Sequence, residues 1–124
     1  MATARDICTG ALRLIGATAI DEDPTPGDAA VALAALNGIM GAYASDGWAE
    51  EWTPLALGDA WPLSAALVEP LKAHLAVNVA PNFMREAPRT VRANALRFGA
   101  MLAAAAVRPQ TFGRGLAAEP PWRW

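Results

Sequence analysis

Apolar side chains recur every three or four residues in four separate stretches of this chain, and glycine or proline follows each stretch. This spacing places the apolar residues on one face of a helix. The first stretch predicts a helix over about 3–15 that ends at Gly16. The others predict helices over about 25–45, 64–79 and 88–107. We therefore expect an all-α fold, a small four-helix bundle.

The composition supports this interpretation. Alanine accounts for 30 of the 124 residues, and alanine has the highest intrinsic helix propensity. With 54% hydrophobic and 18% charged residues, the chain is not expected to be mainly disordered. The single cysteine, Cys8, excludes an intrachain disulfide framework and a site of several cysteines around a metal. We expect neither a membrane span nor an export signal, because no apolar run approaches about 18 residues and Asp6 interrupts the N-terminal segment.

Specific residues indicate where helices begin. Thr25 is a candidate N-cap, with Pro26 at the first helical position and Asp28 at the third. The third helix follows Ser64, but Pro70 lies too deep for a proline in its first turn. We therefore expect a kink or a fresh start near Glu69.

Two segments lack helical periodicity. Between the second and third helices, residues 47–63 predict a short irregular insertion or a hairpin, in which residues 55–57 pair with 60–61 and Gly58 supplies a positive φ. After Pro109 the chain is rich in glycine, proline and aromatic residues. We expect a helical domain over 1–109 and an extended tail over 110–124, either docked on a partner or folded back over the core.

The second and fourth helices have a second apolar side. A helix that is apolar on both sides is normally enclosed by neighbours, and a domain this small has few to offer. This pattern predicts that the second apolar sides of these two helices contact other subunits. The candidate interface residues are Val31, Ala35, Gly38, Ala42, Leu96, Ala100, Ala103 and Val107.

Charge is divided unequally along the chain. Residues 1–70 carry a net charge of −8 and residues 71–124 a net charge of +6. This division favours association between copies or docking on an acidic surface. The alternative is that the two halves neutralise each other within one fold.

No catalytic motif is present. His74 is the only histidine, and a structural, hydrogen-bonded histidine fits its position better than a catalytic one. Cys8 lies on an apolar face, where a thiol is inert, although a Cys8–His74 nucleophile pair is conceivable. We predict that the protein is not an enzyme and binds no metal or cofactor.

Nucleic-acid binding is the main alternative function. Eight of the ten basic residues follow residue 70, and nine of the ten are arginine, which suits phosphate contacts. Against this, the isoelectric point is about 5.3, below that of most DNA-reading domains. The alternative is thus a small intracellular helical regulator that binds DNA or an acidic protein through its basic C-terminal half.

The order of segments resembles the head-to-tail connector (adaptor) proteins of tailed bacteriophages, including the tail accessory factors of short-tailed phages, and their relatives in phage-derived gene transfer agents. An acidic, proline-containing loop separates the first two stretches that carry the resemblance, which covers about 3–107. The stretches are Ala4-x-x-Ile7…Ala11-Leu12-x-Leu14-Ile15-Gly16, Asp28-Ala29…Ala32-Leu33-x-x-Leu36-Asn37-x-Ile39-Met40…Tyr43…Asp46-Gly47, and Leu71-x-x-x-Leu75-Ala76-x-x-x-Ala80-Pro81. The chain departs from larger members in its compact 47–63 region, where they carry longer β insertions, and in its own tail.

The resemblance implies a structural virion protein made in the bacterial cytoplasm. Such proteins form a ring, typically twelve-fold, between the portal and the tail or stopper, and the ring extends the DNA channel without reading sequence. Its partners would be copies of itself, the portal, the stopper or tail proteins, and the passing DNA. In this family the C-terminal segment commonly reaches the portal, which implies portal contacts at Phe112, Arg114, Trp122, Arg123 and Trp124.

Overall fold

A computed structural model describes residues 2–47 and 52–106 of the chain. Within these residues the fold is all-helical, with four α-helices and no strand. Helix α1 spans Ala4–Leu14, α2 Pro26–Ser45, α3 Val68–Val79 and α4 Arg89–Ala106. Short 3₁₀ turns, Ala65–Leu67 and Ala80–Phe83, flank α3. The predicted fold class is confirmed, whereas the expected domain boundary at 109–110 and the tail lie outside the described residues.

The predicted helix ends agree with the structure. Thr3 caps α1 by a reciprocal pair of hydrogen bonds with Asp6. The Thr25 hydroxyl accepts from the backbone N–H of Asp28 at 3.2 Å, as expected for α2. Gly16 and Gly47 follow α1 and α2 with φ of +74° and +81°, a region that glycine adopts without steric cost.

The chain makes a fresh start before Pro70. The 3₁₀ turn Ala65–Leu67 precedes α3, which begins at Val68. Pro70 therefore lies in the first turn of α3, where a helix has no internal partner for a backbone N–H. The expectation of a fresh start near Glu69 is confirmed.

Helix α3 is the centre of the bundle and contacts α1, α2 and α4. The predicted α3 stripe is buried, and so is the predicted core face of α4 (Leu67, Leu71, Leu75 and Val79; Val91, Ala95, Phe98 and Leu102). On α1, Ile7, Ala11 and Leu12 are buried, but Leu14 is 39% exposed at the edge of the predicted face.

The hairpin expected at 55–61 does not form, and Gly58 does not have a positive φ. The backbone of residues 57–61 pairs instead with the N-terminus of α1. The N–H groups of Ala4 and Arg5 donate to the carbonyls of Asp59 and Leu57, both at 2.9 Å, and Trp61 N–H donates to Ala2 O at 2.9 Å. The first N–H groups of a helix have no partner within it, so the carbonyls of Leu57 and Asp59 supply partners that α1 itself lacks.

Candidate interaction surfaces

One side of α2 is uncharged and open to solvent. Asp28 is the only charged residue among the 20 residues of this helix, which is about 30 Å long at 1.5 Å per residue. Val31 is 37% exposed, and the small residues on the same side are also exposed. We call this side the α2 surface: Ala30, Val31, Ala34, Gly38 and Ala42.

Packing within the subunit does not account for the glycines of α2. A β-carbon at Gly38 or Gly41 would meet no described atom beyond the immediate helix within 4 Å. By contrast, a β-carbon at Gly10 would lie 2.8 Å from the Lys72 stem. A glycine inside a helix costs about 1 kcal/mol relative to alanine, so Gly38 weakens α2 without permitting any close contact inside the described subunit.

A second apolar group is exposed on α4 among arginines. Leu96 is 82% exposed, although Ala95 and Phe98 on the other side of the helix are buried. Arg89, Arg92, Arg97 and Ala100 are exposed as well. We call this side the α4 surface: Arg89, Arg92, Leu96, Arg97 and Ala100.

The structure divides the predicted interface residues into three groups. Val31, Gly38, Ala42, Leu96 and Ala100 are exposed on the two surfaces. Ala35 and Ala103 are half-buried, and Ala35 packs partly against the core. The remaining predicted contacts lie outside the described residues (Val107, Phe112, Arg114, Trp122, Arg123 and Trp124).

Sequence reasoning missed two residues of the α2 surface. Ala30 and Ala34 are exposed and lie next to Val31 on the same side of α2. Their four-residue spacing to Gly38 and Ala42 is a signal that could have found them. The row of small side chains is thus longer than predicted.

Within the described residues, few ion pairs link the acidic part of the chain, residues 1–70, to the basic part, residues 71–124. Among the described residues there are two: Arg13 Nη2 lies 4.0 Å from Asp23 Oδ1, and Lys72 Nζ lies 3.0 Å from Glu69 Oε2. Each joins residues close in sequence. The exposed Arg85, Arg89, Arg92 and Arg97 form no ion pair with any described residue. Among the described residues, direct pairing therefore leaves these four arginines without an ion pair.

Cys8 and His74 do not form a nucleophile–base pair. Cys8 is fully buried, and its burial raises the pKa of the thiol to about 11. The His74 ring stacks on Phe98 with 5.6 Å between centroids and lies 6.2 Å from the Tyr43 ring. Burial lowers the pKa of His74. No hydrogen bond joins the two side chains, so neither is placed to activate the other.

Other features of the described chain offer little chemistry. An open cleft of about 230 Å³ lies between α1, α3 and α4, lined by Leu14, Glu69, Ala73, Thr90, Val91 and Asn94. Its carboxylate belongs to Glu69, which already pairs with Lys72. Residues 2–47 and 52–106 contain no cluster of three or more histidine, cysteine or acidic residues that could hold a metal ion.

No protein-family model matches the chain, and no curated protein matches it significantly. Within the described residues, no helix combines the length and apolar character needed to cross a membrane. Of the features in the described residues, the α2 and α4 surfaces bear most directly on function.

Proposed function

We propose that this chain is a structural virion protein of the head–tail connector kind, from a tailed bacteriophage or a gene transfer agent. About twelve copies would form a ring between the portal and the tail or stopper. The ring would extend the DNA channel and provide a docking surface for the tail. In this proposal the protein is made in the bacterial cytoplasm, functions at the head–tail junction, and performs no catalysis.

The exposed, uncharged α2 surface is the observation that carries the proposal. An isolated subunit normally covers such a helix side with charged residues. A ring subunit must instead present two lateral surfaces, one to each neighbour. The α2 and α4 surfaces suit this requirement because both are exposed and lie on different helices, the α2 surface uncharged and the α4 surface an exposed Leu96 among arginines.

The other partners in the proposal come from the resemblance of the sequence. The tail residues Phe112, Trp122 and Trp124, with Arg114 and Arg123, would contact the portal. Aromatic and arginine side chains dominate the binding energy of many interfaces. DNA would pass through the ring without sequence-specific contact, and no membrane would be involved.

The decisive experiment is to fractionate particles from the host that encodes this chain and quantify its peptides by mass spectrometry. We expect the chain to sediment with DNA-filled particles at about one ring per portal. A chain that stays in the unsedimented fraction while the capsid proteins sediment would refute the proposal.

A surface variant links the particle result to the α2 surface. We expect Gly38→Glu to leave the monomer helical, because Gly38 is exposed and an added β-carbon would meet no described atom beyond the immediate helix within 4 Å, and to remove the chain from particles. Ala56→Glu, at an exposed loop position, is the matched control and should be incorporated normally. Equal incorporation of both variants would show that the α2 surface is not a lateral contact.

A second candidate function is supported by the unpaired arginines of the α4 surface. In this alternative, a small intracellular helical regulator binds DNA or an acidic protein through its basic C-terminal half, in which Arg89, Arg92 and Arg97 are exposed and form no ion pair with a described residue. Counterion release would make duplex binding weaken steeply between low and physiological salt. A gel-shift titration that finds no salt-sensitive binding would remove DNA from this alternative.

A further inference from the structure

We infer that the α4 surface of one copy docks on the α2 surface of the next, so that the contact between copies joins two different faces. This inference rests on the proposed side-by-side assembly and names the partner of each surface. The occupant of the α2 surface is thus a second copy of this chain. Three properties of the two surfaces support this pairing over contacts between identical faces.

The first property is shape. Leu96 is 82% exposed and projects from α4, whereas the α2 surface consists of Ala30, Ala34, Gly38, Ala42 and the partly exposed Val31. Small side chains let another helix approach closely, and a projecting leucine fills the shallow groove that they leave. Two α2 surfaces placed together would have no large side chain between them.

The second property is charge. Two α4 surfaces placed together would bring Arg89, Arg92 and Arg97 of both copies into proximity, and none of these arginines has an ion-pair partner among the described residues. The ends of α2 are acidic: Asp28 lies in its first turn and Asp46 at its C-cap. The loop before α2 adds the exposed Asp21, Glu22 and Asp23. Opposite charges therefore favour α4 against α2 and disfavour each surface against itself.

The third property is the symmetry that each pairing generates. A contact between identical faces is satisfied once two copies meet. A contact between different faces leaves one free surface at each end of the pair, and further copies add to form a ring where the rotation between copies closes. Pairing α4 with α2 is therefore the arrangement by which one contact, repeated, builds the proposed ring.

Disulfide trapping tests which faces meet. Gly38→Cys places a thiol on the α2 surface and Ala100→Cys places one on the α4 surface, and each variant retains Cys8, which is buried and whose raised pKa slows its reaction. A disulfide forms only where the two Cα atoms come within about 7 Å. The two variants are mixed in equal amounts, oxidised, and analysed by mass spectrometry without reduction. Ala56→Cys, at an exposed loop residue outside both surfaces, measures random collision.

We expect the mixed disulfide to exceed each homodisulfide about tenfold, which is about fivefold above the statistical excess and corresponds to a preference of about 1 kcal/mol. Random collision would give only a twofold excess, and a double variant with both cysteines should form a ladder of oligomers. A dominant homodisulfide, or yields equal to those of Ala56→Cys, would overturn the pairing. Particle fractionation tests the proposed function separately. If the chain sediments with particles but the disulfides do not form, only the pairing of α4 with α2 is contradicted.

A charge reversal provides a second readout. Arg92→Glu in the Ala100→Cys chain should lower the yield of the mixed disulfide several-fold, whereas Arg92→Lys should retain most of it. Arg5→Glu makes the same change of charge at an exposed α1 residue outside both surfaces and should have no effect. Equal losses from Arg5→Glu and Arg92→Glu would show that net charge, and not the α4 surface, controls the contact.

Discussion

The side chain of Asn37 on α2 exchanges two hydrogen bonds with the backbone of Leu55. Asn37 Oδ1 accepts from Leu55 N–H at 2.8 Å, and Asn37 Nδ2 donates to Leu55 O at 3.0 Å. The same Oδ1 accepts from Trp52 Nε1 at 3.3 Å. The amide thus satisfies the backbone of an irregular segment in the way a neighbouring strand would, and it attaches that segment to α2.

Removing this amide should destabilise the protein. Asn37→Ala leaves the half-buried N–H and carbonyl of Leu55 without partners, and we expect a loss of about 1–3 kcal/mol in the free energy of unfolding. Urea denaturation followed by circular dichroism measures it. The matched control is Asn78→Ala, whose exposed amide donates only to His74 O of its own helix at 3.0 Å and should cost under about 0.5 kcal/mol. Equal losses would contradict the structural role assigned to Asn37.

The glycines of α2 should be replaceable at a gain in monomer stability. Gly38→Ala and Gly41→Ala add a β-carbon where no described neighbour lies within 4 Å, and each should raise the free energy of unfolding by about 0.5–1 kcal/mol. Gly16→Ala is the control of opposite sign, because Gly16 has a φ of +74° that alanine adopts only under strain. Thermal unfolding of dilute monomer measures all three. A loss of stability in Gly38→Ala would show that the described subunit already needs glycine there.

The helices could be predicted from the sequence because their signals are local. Helix caps, apolar periodicity and a helix-ending glycine such as Gly47 each act within a few residues of the chain. The fresh start before Pro70 likewise follows from that proline alone. The 52–61 segment could not be predicted, because its partners are Asn37 and the first N–H groups of α1, which are distant in sequence. Exposure of the α2 and α4 surfaces followed from periodicity, but the partial burial of Ala35 depends on how the helices cross.

The stability of the fold should decrease when His74 is protonated. Burial between Tyr43 and Phe98 lowers the folded-state pKa of His74 below its ordinary value of 6.5. The unfolded chain therefore binds the proton more readily, so stability should fall as the pH drops through about 6.5 and level off below the folded pKa. One proton limits the slope to about 1.4 kcal/mol per pH unit.

Urea titrations between pH 8 and pH 5 measure this slope. His74→Phe and His74→Gln differ in how well they pack, but both should abolish the His74 contribution. Groups that titrate at lower pH remain in every variant. One of them is Asp6, because its hydrogen bonds with Thr3 lower the pKa of its carboxyl. A slope unchanged in both variants would exclude His74 as its source.

Cys8 should react slowly in the folded protein. Burial raises the pKa of its thiol from 9.0 to about 11, and the thiolate is the reactive form. At pH 8 this change lowers the thiolate fraction about a hundredfold relative to the unfolded chain. Labelling with a chromogenic disulfide reagent, with and without guanidinium chloride, measures the ratio of the two rates, and Ile20→Cys supplies an exposed thiol on the same fold. A Cys8 that reacts faster folded than unfolded would indicate an activated nucleophile and would revive an enzymatic function, against which the lack of a hydrogen bond between Cys8 and His74 argues.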